Sequence, residues 1–518
     1  MINRREFIKQ IGISGFGVAA AMHITGFESS TLKFASSYSP ESQGVSSQGL
    51  LNFFDAVRTS GLEFHSIMVN RNGKTILEGW WEPFHKEYIH TLYSLSKSFS
   101  STAIGLLHDE GKLTVNDKVI SFFPDKLPSA VSDNLAAMRI QDLLTMNTGH
   151  DLDTMGRIRS SGEADWVKAF LSFDVPKVPG SIFLYNTGAT YMLSAIAQKI
   201  TGQNIMRYLQ PRLFEPLGIA GADWETDSQG INVGGYGLRI RTQDILNFGQ
   251  LYLQEGKWNG KQILSAGWIA EATKKQVPSQ NNDTDWGQGY GYQFWRCKPG
   301  CYRGDGAYGQ YCIVVPEKNA VIAITSETKD MGASMKLVWD HILPAMETSS
   351  SKAEDTVTSK KLLTETTRLS LPVEKTYAGE TGEQILNKKS FSLEKNPFNA
   401  TSVAFAFQKN TCELMFEENG KSIRVTSGFG NWITGTNKKE GNTLFAIPGR
   451  TPKATKFSSY YTWKDKSTLV IVVKYVENAH TDIFTFNALP GQVELSFNNS
   501  VSIFTNKPDE RSKIILSS

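Results

Sequence analysis

The sequence predicts a mixed α/β (α+β) domain followed by a C-terminal all-β domain, and three patterns carry that reading. Phe64 to Asn70 and Thr75 to Trp81 flank Arg71-Asn72-Gly73-Lys74, a turn of the kind that joins two strands. Phe99, Ala103, Ile104 and Leu107 recur at helical spacing ahead of Gly111, a helix-ending residue. Beyond about residue 376 the period changes to two, as in Ser402-Val403-Ala404-Phe405-Ala406-Phe407 and Asp482-Ile483-Phe484-Thr485-Phe486, which marks short strands.

Taken in order, the chain opens with Asn3-Arg4-Arg5-Glu6-Phe7-Ile8-Lys9 and a mildly apolar run from Ile11 to Phe27. Paired arginines ahead of modest hydrophobicity predict a twin-arginine export signal over 1–27, and hence a periplasmic or extracellular protein. Residues 28–47, rich in Ser, Gly and Gln, read as a tether. The first folded domain spans 48–346, with an amphipathic helix from Leu50 to Thr59, the hairpin, the Phe99 helix, a helix from Ala189 to Ile200 ending at Thr201-Gly202, and a helical run from Thr242 to Glu255. Strands Cys312 to Pro316 and Ala320 to Thr325 complete its sheet. Residues 347–375 read as a linker, and 376–518 as a β-rich accessory domain, a sandwich or small barrel.

A chain of 518 residues exceeds one ordinary core. Its 54 Lys+Arg balance 51 Asp+Glu to a net charge of +3, which excludes a globally basic nucleic-acid binder and favours small-molecule or peptide-like substrates. After the export signal no run is long and apolar enough to span a bilayer, so no stable membrane insertion is expected. Of the four cysteines, Cys297, Cys301 and Cys312 crowd around a predicted hairpin. In an oxidising compartment one local disulfide is expected, of Cys297 with either Cys301 or Cys312. Zinc is disfavoured, because no fourth soft ligand accompanies them.

The chemistry points to Tyr93-Ser94-Leu95-Ser96-Lys97-Ser98-Phe99. Ser94 and Lys97, three apart at the head of a helix, leave the same face one turn apart. A serine hydroxyl becomes a competent nucleophile when a neighbouring base takes its proton, and a lysine serves if burial lowers its pKa toward neutrality. S-x-x-K alone is weak: Ser30/Lys33, Ser326/Lys329, Ser349/Lys352 and Ser392/Lys395 also match. Only the Ser94 copy opens an apolar-periodic helix, where the competing role for serine is a helix N-cap. No G-x-S-x-G elbow occurs.

Three further blocks follow in order: Leu143-Leu144-Thr145-Met146 with Gly149, then Tyr185-Asn186-Thr187, then Gly304 to Pro316. With them, residues 48–346 resemble the serine β-lactamase and D-Ala-D-Ala-peptidase superfamily, in the branch of class C β-lactamases, D-aminopeptidases and related esterases. The resemblance implies an antiparallel sheet with helices on one face and a helical subdomain forming the other wall of a cleft. It makes Ser94 the acylated nucleophile, Lys97 its proton partner and Tyr185 a second proton carrier. The oxyanion hole would use the backbone N–H of Ser94 and one near Ala307. No metal or organic cofactor is implied.

Two departures bear on substrate. The family's Tyr-x-Asn is here Tyr185-Asn186-Thr187, so either Asn186 or Thr187 would hold the substrate. Where the third motif normally starts with Lys or His, this chain has Gly304, with Arg303 next to it; the missing cation argues against efficient work on β-lactams or carboxypeptidase substrates. Asp305 and Gln310 are further candidates for substrate binding, against a purely conformational use of Asp in a Gly-rich turn. Trp286, Tyr290 and Trp295 line or underlie the cleft, and His150 is structural. The expected activity is an exported serine hydrolase working through a Ser94 acyl-enzyme on an ester or amide. The alternatives are a β-lactamase or peptidoglycan DD-peptidase, and a catalytically inactive ligand-binding module.

Overall fold

The computed structural model describes residues 38–346, 356–396, 399–437, 455–509, 511 and 513–517. The signal at 1–27, residues 28–37 of the tether and residues 347–355 of the linker lie outside the described residues. Helix α1 (Ser47–Ser60) starts where Ser46 accepts a hydrogen bond from the Gly49 amide and stops at left-handed Gly61. Strands β1 (Glu63–Arg71) and β2 (Lys74–Trp80) follow, turning through Asn72 (φ 52°) and Gly73 (φ 74°), the left-handed pair that matches strand twist. Next come α2 (Ser96–Asp109), α3 (Thr187–Thr201) and α4 (Thr242–Leu253), then β3 (Trp295–Arg296), β4 (Tyr302–Gly306), β5 (Gln310–Val315) and β6 (Ala320–Glu327).

The six strands form an antiparallel sheet in the order β2-β1-β6-β5-β4-β3. The first strand therefore pairs with the last, Ile67 opposite Ile324, and closes the domain over its whole length. Both faces are covered, not one. Met68, Cys312, Val314 and Ala323 pack with α2 and α4, whereas Ile67, Val69, Ile313 and Ile322 pack under α1 and the helix Met331–Leu337. The amphipathic stripe of α1 (Leu50, Phe53, Phe54, Val57) needs that second face, and strand burial on both sides explains why β5 and β6 read as continuous apolar runs. Short helices between residues 133 and 172 group around α3 as the wall beyond α2.

The stretch expected as a linker holds a helix, α5 (Thr356–Thr366). Leu362 is buried there and Ser359 hydrogen-bonds Ser47 and Glu41. Downstream lie β7 (Ser390–Leu393), β8 (Ala400–Gln408), β9 (Thr411–Glu418), β10 (Lys421–Phe429), β11 (Ile433–Asn437), β12 (Thr455–Trp463), β13 (Thr468–Lys474), β14 (Thr481–Leu489), β15 (Gln492–Asn499) and β16 (Ile514–Ser517). They form a barrel in the order β10-β9-β8-β7-β16-β15-β14-β13-β12-β11, with β10 also pairing in parallel to β12. Alternate residues such as Phe405, Leu414, Phe416 and Phe486 fill it.

β13 departs from alternation because both its faces are covered: Leu469 and Ile471 face the barrel core, and Val470 and Val472 pack with Tyr460 outside it. At its end Lys474 hydrogen-bonds Glu63 and, at 2.8 Å, Glu327 of the first domain, and Val476 joins the core beneath α1. The barrel is docked on the catalytic sheet through a buried ion cluster.

Candidate active site

Ser94 sits in a single 3-10 turn, Tyr93–Leu95, that runs directly into α2. From Ser96 to Leu107 every residue of α2 is buried, and most of its hydroxyls find partners inside: Ser98 donates to the Gln293 carbonyl at 2.9 Å and Ser100 to Gly234 at 2.9 Å, whereas the Ser101 hydroxyl has none among the described residues. Ser94 itself remains half-buried. Lys97, one turn on, is 1 % exposed. Its Nζ lies 3.1 Å from Ser94 Oγ, 2.8 Å from the Gly235 carbonyl and 3.5 Å from Thr187 Oγ1. Burial pushes the amine down to about 7, against the opposing pull of Asp153 and Asp305.

Tyr185 completes the group. Its ring lies 4.9 Å beneath the Lys97 ammonium, stacks on Trp295 at 5.5 Å and meets Tyr290 edge-on at 6.2 Å. Burial first, then Asp305, pushes the phenol well above its usual value, although a hydrogen bond with Ser94 pulls the other way. The phenol therefore stays protonated across the working range and can donate, while the amine is half-neutral near pH 7 and can accept. A hydroxyl between a neutral amine and a protonated phenol is the arrangement that proton transfer to and from a reacting oxygen requires.

The β4 end forms the opposite wall. An added Cβ at Gly306 would fall 2.0 Å from the Leu92 carbonyl oxygen and 3.1 Å from the Ser94 nitrogen, so only glycine lets the strand run alongside the Ser94 amide. Ala307 follows, exposed, at the β4–β5 turn. A Cβ at Gly304 would lie 2.4 Å from Leu95 Cδ1 and 2.5 Å from Ser98 Oγ, which leaves no room for the basic side chain found there in the family the sequence resembles. Arg303 does not take over. It is fully buried, bonded to Asp305 at 3.0 Å, to Cys297 Sγ at 3.2 Å and to backbone carbonyls.

The remaining sequence candidates divide. Thr187 is partly exposed next to Lys97, its backbone N–H donating to Asp153 at 2.9 Å. Asn186 is fully buried. Its oxygen accepts from Thr154 and Gly188 and its amide donates to Thr148, which in turn meets His150 at 2.9 Å, so this side chain is consumed in capping α3. Gln310 is likewise buried, donating to the Ala307 and Ser326 carbonyls and accepting from the Ser326 amide. It braces the turn that carries Ala307. Asp305 accepts from Trp286 and Arg303 at the floor of the cleft.

Sequence reasoning missed Asp153, whose charge acts on Lys97 and whose loop carries no motif, and the carbonyl of Gly235, a backbone group that no side-chain motif announces. The expected disulfide is not formed: all four cysteines are free and buried. Cys312 faces α4, with its thiol toward the Ile245 carbonyl, whereas Cys297 and Cys301 lie on the other side of the sheet, where their thiols are hydrogen-bonded to each other without a covalent link and Cys297 also accepts from Arg303. Glu63, His65 and Glu327 gather closely enough to hold a cation, and the Lys474 ammonium is bonded to both carboxylates. No helix among the described residues is long and apolar enough to cross a membrane.

The family model described as Beta-lactamase matches residues 58–347. The 6-aminohexanoate-dimer hydrolase of Paenarthrobacter ureafaciens is 23% identical over 286 residues, covering 51% of this chain and 73% of that protein. Penicillin-binding protein 4 of Amycolatopsis lactamdurans is 27% identical over 279 residues, covering 45% and 70%. Among solved structures, D-amino acid amidase from Ochrobactrum anthropi SV3 aligns over 58% of this chain and 98% of its own, with 17% identity and a TM-score of 0.47. A match over more than half its length, on the segment that holds the serine, the amine and the phenol, makes this chain a member of the beta-lactamase family and a serine hydrolase of that type.

Proposed function

We propose that the protein hydrolyses an amide or ester through an acyl-enzyme on Ser94, and that the acyl donor carries no carboxylate for a cation to grip. The observation that carries the reading is the Lys97 amine, buried, held near pH 7 and 3.1 Å from Ser94 Oγ. In the forward step Lys97 takes the hydroxyl proton as Ser94 Oγ bonds the carbonyl carbon. The resulting oxyanion is held by the backbone N–H groups of Ser94 and Ala307, and Tyr185 delivers a proton to the departing amine or alcohol. Water then attacks the acyl-Ser94 ester, giving its proton back through the same pair and releasing the acid.

The substrate preference rests on Gly304 and Arg303. The first has no space for a cation, and the second is tied to Asp305 and Cys297. We further read Arg4-Arg5 and the run after it as an export signal, which assigns the enzyme to the periplasm or the outside of the cell. A fluorophosphonate probe tests the nucleophile: labelling confined to Ser94 and abolished in Ser94→Ala is expected, and an unlabelled folded protein defeats the reading. Turnover of short acyl esters beside nitrocefin and an acyl-D-Ala-D-Ala peptide tests the preference, with the neutral ester favoured by about a hundredfold or more in kcat/KM.

A second reading, a penicillin-recognising enzyme, is favoured by the relative named penicillin-binding protein 4. Efficient nitrocefin hydrolysis would establish it over the first.

A further inference from the structure

The two backbone donors needed by the acyl-enzyme reading belong to segments of strained conformation. Tyr93, one residue ahead of Ser94, has φ +47°, and Tyr308, one residue beyond Ala307, has φ +65°. Left-handed backbone is rare for bulky aromatic residues and persists where the surroundings over-determine it. Here the surroundings include each other and two residues of the C-terminal region, His480 and Phe504, whose ring lies 6.1 Å from that of Tyr308. The Tyr93 and Tyr308 rings meet edge to face, 5.3 Å between centroids. His480, in the loop between β13 and β14, lies edge-on to Tyr308 at 4.8 Å, and its Nε2 shares a hydrogen bond with the Tyr93 phenol.

His480 is itself fixed from behind. Its Nδ1 is 2.7 Å from Glu327 Oε1 and 3.5 Å from Ser500 Oγ, and Glu327 Oε2 accepts from Lys474 at 2.8 Å. With Nδ1–H committed to the carboxylate, Nε2 is left to accept from the phenol. Glu327 follows Ser326 on β6, and Ser326 Oγ reaches the Tyr308 and Gly309 carbonyls at 2.7 Å and 2.8 Å. Both ends of the arrangement thus converge on the turn that carries Ala307.

We propose that His480 is a positioning residue: held by Glu327, it clamps Tyr93 and Tyr308 and so aims the N–H groups of Ser94 and Ala307 at the oxyanion. The inference rests on the acyl-enzyme reading and extends the active centre into the C-terminal barrel. Because it acts on donors that tighten only as charge develops, its loss falls on the transition state and not on substrate affinity.

The test compares full-chain His480→Ala, His480→Gln and Tyr93→Phe with the wild type on a p-nitrophenyl acyl ester, with fluorophosphonate labelling and melting temperature recorded for each. His480→Ala is expected to lower kcat on the order of a hundredfold with KM within about twofold. Tyr93→Phe, which removes one hydroxyl, should lower kcat roughly tenfold, and His480→Gln, which keeps an acceptor for the phenol, should recover most of the loss. Wild-type kcat in the variants, or a rise in KM with kcat retained, overturns the clamp. Should His480→Ala fail to fold, Tyr93→Phe decides by the same criterion. A wild-type protein that never labels at Ser94 instead removes the acyl-enzyme reading on which the clamp stands.

Discussion

Lys97 Nζ stands 3.1 Å from Ser94 Oγ across one helical turn, with the Gly235 carbonyl 2.8 Å away on its other side. The amine is thus aimed at the hydroxyl by a fixed acceptor, inside a helix that is buried all round.

A pH profile follows from that pairing. Lys97 accepts a proton only when neutral, and its amine is held at about 7, so kcat/KM should rise with pH through an inflection near 7. Tyr185 is pushed upward and sets no limb in the same range. Lys97→Arg should fall on the order of a thousandfold, since a guanidinium does not deprotonate. An acid limb unchanged in that variant would contradict the assignment.

Burying the amine should cost stability. Its folded pKa of about 7 lies below the ordinary 10.5, so the unfolded chain binds more protons between those values and stability rises with pH across that window. Lys97→Met should therefore be inactive yet melt a few degrees higher at pH 6, with a smaller gain at pH 9. Thermal unfolding at the two pH values checks it.

Glu327 gives the opposite sign. Burial raises its pKa, but Lys474 and His480 overcome that and hold the carboxyl at about 2. Its contribution is present above the ordinary 4.5 and is lost as pH falls from there toward 2. Glu327→Gln leaves Lys474 with one carboxylate fewer, which should cost on the order of 3–5 kcal/mol at pH 7. Chemical unfolding at pH 7 and pH 3 should show the deficit shrinking at the lower value.

Gly306→Ala should be more damaging than its single methyl group implies. The backbone oxygen of Leu92 cannot withdraw without moving the turn that carries Ser94. Loss of fluorophosphonate reactivity by about a hundredfold or more is expected, measured as a second-order labelling rate.

The four cysteines should titrate as thiols. Protein unfolded in guanidinium without reductant should release four equivalents to a disulfide reagent, and the native protein close to none, because all four are buried.

What the sequence disclosed was local. The Ser94–Lys97 spacing, the Asn72-Gly73 hairpin and the helix ending at Gly202 each depend on neighbours within a few residues, and all are found where periodicity and turn chemistry place them. Asn186 and Gln310 could not be sorted from the sequence, since an amide that caps a helix and one that grips a ligand look alike until their partners are known. His480 and Glu327 carried no signal at all: His480 meets Tyr93 across 387 positions of the chain and Glu327 across 153. The second covered face of the sheet, in turn, followed from α1, whose stripe was legible but whose destination was not.

The barrel is stitched shut by β7 and β16, with Ser392 opposite Ser517 and Leu393 opposite Leu516. A ribosome must therefore deliver residues 514–517 before that seam can form, and until then the nascent ribbon presents bare strand margins open to mispairing. Translation order alone leaves this end of the barrel, and with it the proposed His480 clamp, among the last parts to settle.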